Sequence, residues 1–217
     1  MSDFDAEEYE LFRLDADDSD DPDDDTDEPD DDTDEPDDDS DDDEDDEDED
    51  DDLDDLEDAE EEDIDFVVAA YREDGQALVQ ALDKDLANDL EELIVQLRRL
   101  PGDAGALGFV SLVEEVAVLV RVRGQHVQVL LNDGGAANEW PIARDVADFL
   151  NDEIIDEDDD DPIGDLGILS DLGVSEFDLE TLIDNLDLGS DQMLLEIADK
   201  INIGAEFRRV VGTSFRH

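Results

Sequence analysis

The chain has no cysteine, which excludes disulfide staples, thiolate zinc sites and cysteine nucleophiles together. Its two histidines, His126 and His217, are too few and too far apart for a two-histidine helix motif that would hold zinc. One tryptophan and two tyrosines leave little with which to line a saccharide cleft, so the abundant carboxylate pairs do not by themselves point to a glycosidase. The longest apolar run, near Val116 to Val120, is far too short to span a bilayer. The first residues, Met1-Ser2-Asp3-Phe4-Asp5, show neither a basic region nor an apolar stretch, so no signal peptide is expected. Serines are few and none sits in nucleophile-elbow spacing. Glycines 102, 105 and 108 fall in a loop without the lysine or the strand-to-helix setting of a phosphate-binding loop.

Positive charge is also scarce. Twelve Lys and Arg stand against 77 Asp and Glu, giving a formal net charge of -65 over 217 residues. Residues 1–63 alone hold 43 acids and one base, Arg13. Within them Pro22-Asp-Asp-Asp-Thr-Asp-Glu repeats from Pro29 and, with Ser40 in place of Thr and Asp42 in place of Glu, from Pro36. The seven-residue period is no coiled coil, because apolar a and d positions are missing and a proline at every seventh place would break a helix. Such a segment buries too little apolar surface to offset its ordering entropy, so residues 1–62 are expected to be a disordered Asp/Glu-rich tail spanning roughly 40 Å or more. Three readings of the tract stand side by side: a solubilising charge ballast, a lure for a basic partner that imitates a polyanion such as tRNA, and metal binding. The last has no EF-hand frame of glycine and glutamate to support it. Phe4, Tyr9, Leu11, Phe12 and Leu14 form a small apolar cluster ahead of the tract, patterned like a short linear motif or an ordinary terminus.

The remaining 154 residues carry 34 acids and 11 bases. Direct binding to nucleic acid or an anionic membrane is disfavoured, since phosphates would be repelled and no counterions released. A soluble, cytoplasmic protein with a basic protein partner is expected.

Residues 63–152 read as an α+β domain in the order strand, strand, helix, three strands, helix. Ile64 to Tyr71 and Gln76 to Leu82 are rich in β-branched, aromatic and apolar residues and flank Asp74-Gly75, a hairpin signal. Leu86, Leu90, Leu93, Ile94 and Leu97 make one helical face, with Asp83 or Asp85 to cap it and Pro101-Gly102 to stop it. Gly108–Val113, Val116–Arg123 and His126–Leu131 read as strands, with turns at Glu114-Glu115 and Gly124-Gln125. In Val116–Arg123 the even positions form an apolar face and the odd ones a mixed face. A helix follows from Pro141 to Asn151, with Trp140 as a core anchor beside it. An antiparallel sheet with helices on one face is the economical arrangement. An acidic linker, 153–162, leads to a small helical unit at 163–211. There Gly173 and Gly204 act as stops and Ser190-Asp191 as a cap, and a mildly basic tail follows at 212–217. No catalytic, cofactor-binding or metal-ligating residues stand out. His126, on a strand beside a turn, reads as exposed or hydrogen-bonded.

Three segments carry a resemblance to a known family: Asp65-Phe-Val-Val-Ala-Ala-Tyr-Arg-Glu-Asp-Gly75, Val113-Glu-Glu-Val-Ala-Val-Leu-Val-Arg-Val-Arg123 and Pro162-Ile-Gly-Asp-Leu-Gly-Ile-Leu-Ser-Asp-Leu-Gly173. They resemble the actinobacterial tRNA adenosine deaminase-associated proteins over roughly residues 64 to 211. The resemblance implies a protein that keeps company with the deaminase converting adenosine to inosine in tRNA, and a non-catalytic accessory or regulatory protein that binds a basic partner such as that deaminase is expected. The chain is not that deaminase, whose zinc site needs a Pro-Cys-x-x-Cys. The alternative reading is a general acidic chaperone or charge-ballast protein without a dedicated partner.

Overall fold

The computed structural model describes residues 56–102, 105–152 and 160–215. The expected acidic tail lies outside the described residues as far as residue 55. So do 153–159 of the linker and the basic pair 216–217.

Six antiparallel strands form one sheet in the order β2-β1-β3-β4-β5-β6. They are β1 (Ile64–Glu73), β2 (Gln76–Ala81), β3 (Ala106–Leu112), β4 (Val116–Arg123), β5 (His126–Leu131) and the two-residue β6 (Ile163–Gly164). The Asp74-Gly75 turn is present, both residues at positive φ (+50° and +77°), as a two-residue hairpin requires. The β3–β4 turn differs from expectation. It is centred on Val113 and Glu114, at φ +47° and +57°, a conformation that is costly for a β-branched residue. Three hydrogen bonds hold it: Val113 N–H to the Asp63 carbonyl (2.8 Å), Glu114 N–H to Asp65 Oδ2 (2.8 Å), and Ser190 N–H to the Glu114 carbonyl (2.8 Å).

The helical face read over Leu86–Leu97 is divided. Lys84–Asn88 is a 3-10 turn capped by Asp83, and α1 (Leu90–Arg98) starts afresh at Asp89, whose carboxylate accepts from Glu92 N–H at 2.7 Å. α2 (Pro141–Leu150) begins with proline at its first position and ends at Asn151 in the left-handed region. Both helices lie on one face of the sheet. Leu93, Ile94, Leu97, Ile142 and Val146 meet Val67, Val110, Val118, Val120 and Leu131 there, and half-buried Trp140 packs against this core.

The residues after the linker cover the opposite face. Leu166 to Leu172 close into turns and a short 3-10 segment before Gly173, followed by α3 (Glu176–Ile183), α4 (Ser190–Lys200) and α5 (Gly204–Ser214). Ser175 opens α3 with a capping box. α4 differs from expectation: Gly189 takes the cap position and Ser190 turns inward. Ile168, Leu169, Leu179, Leu194, Ile197 and Phe207 pack onto Phe66, Val68, Phe109, Leu119 and Leu130. The rings of Phe66 and Phe109 meet Phe207 edge-on at 5.5 and 5.0 Å. The odd face of β4, read as mixed, is therefore core too. Fifty residues of short helices bury little by themselves, and the sheet's second apolar face gives their stripes a partner.

The fold also begins before residue 63. Ala59 is buried, and its backbone exchanges two hydrogen bonds with the Asn88 side chain, at 2.8 and 3.1 Å.

Candidate interaction surface

Among the described residues, Arg121 is the charged residue that the core encloses. It lies on the odd face of β4 with 2% of its surface exposed. The cost of burying a guanidinium is met by geometry: Nη2 donates to Asp171 Oδ2 at 2.8 Å, and Nη1 donates to the Ile168 carbonyl at 2.6 Å and to Asp171 Oδ1. The Arg121 bond in turn holds the Asp171 carboxyl below the usual carboxylate range. Asp171 sits in the turn before Gly173, so this pair ties the segment 162–173 to the sheet. The pocket beside it, between Tyr71, Leu107, Leu172 and Ile203, measures about 30 Å³. That is room for a water molecule, not a substrate.

A second polar knot fixes the other end of the sheet. Ser111, fully buried on β3, is 2.8 Å from both Asp65 Oδ2 and Ser190 Oγ. Asp65 thereby joins β1, the strained β3–β4 turn and the start of α4. The segment 162–165 is equally constrained. Gly164 has φ +109°, and a Cβ there would lie 2.3 Å from the Val129 carbonyl oxygen. Asp165 accepts from Gly167 N–H and from Gln128, so these polar groups are engaged in holding the backbone.

One open feature is a groove of about 720 Å³ between α1 and α2. Leu90 and Ile94 reach its floor from the core, and the Phe149 ring stands at its edge, 43% exposed. Asp89, Glu91, Asp145 and Asp148 line it, with Arg98 at one end. Half-buried Asp145 accepts from Leu90 N–H at 3.0 Å, so a carboxylate of α2 receives a free donor of α1's first turn. Burial raises the Asp145 carboxyl above its ordinary value. The Leu90 bond opposes that shift, and Asp89, Asp148 and Glu91 add to it by repulsion. Such a site favours a cationic side chain, which would relieve the repulsion, with an apolar group laid on Phe149. Sequence reading missed the groove because its acids are two among many runs of acids until α1 and α2 are placed together.

His126 is exposed on the β4–β5 hairpin, opposite Arg123. No group of His, Asp or Glu among the described residues is arranged to hold a metal ion. Nor is any helix among them long and apolar enough to cross a membrane.

Fold and surface together define an acidic α+β protein whose interior charges are structural and whose open groove suits a basic, partly apolar group. The chain belongs to the family described as Rv3753c-like tRNA adenosine deaminase-associated protein, whose model matches residues 65–204. It is 33% identical over 150 residues to Protein Rv3753c of Mycobacterium tuberculosis (strain ATCC 25618 / H37Rv), covering 67% of this chain and 87% of that one. No solved structure matches it. The three segments that carried the resemblance are the ones that contain Asp65, the Val113-Glu114 turn, Arg121, Gly164 and Asp171.

Proposed function

We propose that the protein is a non-catalytic accessory that binds a basic protein partner, the tRNA adenosine deaminase, in the cytoplasm. The observation that carries this is the acidic α1–α2 groove with its half-exposed phenylalanine, a surface suited to cationic side chains on a chain with 77 acids. The family's description as deaminase-associated supports this choice of partner. An enzyme that acts on tRNA needs a basic docking face, and an acidic protein complements such a face without help from phosphates. The tract 15–63 adds a polyanion that competes with tRNA for the same groove of the partner. In this reading the folded part selects the partner and the tract modulates its access to tRNA. Pull-down with the deaminase tests it: a complex forms at low salt, weakens as salt rises, and weakens further when residues 15–63 are deleted. The absence of a complex at low salt overturns the reading.

A further inference from the structure

β2 is an edge strand, hydrogen-bonded to β1 on one side. The Leu82 N–H donates to the Val67 carbonyl, which sets the phase of the ladder. The alternate residues 76, 78, 80 and 82 bond toward β1, so the N–H and C=O groups of Ala77, Val79 and Ala81 point away from the sheet. No described residue takes those groups as partners. Edges of this kind are ordinarily blunted by charge, proline or a bulge. Gln76-Ala-Leu-Val-Gln-Ala81 has none of these, in a chain where 41% of residues are charged. At its two ends, by contrast, stand Glu73-Asp74 and Asp83-Asp85. The cations nearby are already committed: Arg72 donates to the Ile201 carbonyl, and Lys84 to the carbonyls of Glu61 and Ile64.

We infer that β2 is a docking edge that takes an extended segment of a basic protein as a seventh strand, apolar in its middle and carrying Lys or Arg at both ends. Backbone bonds to residues 77, 79 and 81 would supply register, and the acidic ends would select charge. A second copy of the chain does not fit. Antiparallel self-pairing centred on Val79 sets the acidic turn Glu73-Asp74 at one end of each β2 toward the acidic segment Asp83-Asp85 at the other end of its partner's. The inference rests on the reading that the partner is a basic protein and adds to the α1–α2 groove a second contact, with the conformation of the segment that makes it.

Amide hydrogen exchange of the full chain tests it with two probes: the tRNA adenosine deaminase, and a synthetic peptide with alternating Val and Thr flanked by paired Arg residues. Protection of the Val79 and Ala81 amides by either probe supports the docking edge. A second arm uses Val79→Pro, which removes an outward N–H without touching the β1 ladder, and the conservative Asp74→Asn. The proline variant should bind about tenfold more weakly, and Asp74→Asn should flatten the salt dependence. If the deaminase binds the native chain while these amides stay unprotected and Val79→Pro binds equally well, the docking edge is wrong and the partner reading stands. If the peptide protects the edge and the deaminase does not bind, the edge stands and the partner's identity is wrong. Protection by neither probe overturns the inference.

Discussion

Asp171→Asn isolates the buried charge that Arg121 places in the core. The substitution leaves the Arg121 guanidinium 2% exposed, with the Ile168 carbonyl and a single amide oxygen in place of a bidentate carboxylate. Breaking a fully buried pair costs ~3–5 kcal/mol and an exposed one ~0–1 kcal/mol. Here one partner is enclosed and the other is 53% exposed, so a loss of about 2 kcal/mol is expected. For a fold of this size that lowers Tm by roughly 4–8 °C. The pH dependence carries the mechanism. The folded-state pKa of Asp171 lies below its ordinary 3.8, so its contribution is fully present above that value and is lost as pH falls through the lower folded value. Urea denaturation of both proteins followed by circular dichroism, from neutral pH into acid, should give a constant difference that closes at the acid end. A difference below about 0.5 kcal/mol at neutral pH, or one that does not close, refutes the assignment.

Phe207→Ala should cost about 4 kcal/mol, because a fully buried ring with two edge-on aromatic partners is removed from the core under α5. Calorimetry should show one unfolding transition at a lower temperature, and a separate transition for α3–α5 would contradict a shared core. Asp145→Asn should raise Tm at neutral pH. The raised carboxyl makes its stabilising contribution below its unfolded value and loses it as pH rises through the folded one, whereas Asn keeps the Leu90 bond without the charge. The gain should vanish in acid, and the same variant should bind the deaminase more weakly. Phe149→Ser should weaken binding while leaving Tm nearly unchanged, since the ring is 43% exposed; equal binding would remove the groove from the interface.

Local signals in the sequence were strong where period and turn chemistry agreed. The alternation Val116, Val118, Val120, Val122, the Asp74-Gly75 turn and Pro141 each placed an element within a residue or two of where it lies. Non-local pairings were not legible. Nothing in the neighbourhood of Arg121 signals that Asp171, fifty residues on, encloses it, so the odd face of β4 reads as half polar until Ile168, Leu194 and Phe207 cover it. The division at Asp89 was hidden because Leu86 keeps step with the α1 stripe although a 3-10 turn carries it. Val113 and Glu114 read as strand and turn with ordinary backbone; their left-handed conformation is imposed by Asp63, Asp65 and Ser190, groups remote in sequence. The family resemblance was legible because it resides in residues that build this fold. The groove was not, because it arises only when two acidic helix ends meet.

The most direct test is calorimetric titration of the full chain into purified tRNA adenosine deaminase across a series of salt concentrations, beside an unrelated basic protein. A dedicated accessory binds the deaminase at low salt, loses affinity steeply as salt rises, and loses part of that salt dependence when residues 15–63 are removed. No binding at low salt, or equal affinity for the unrelated protein, would contradict it.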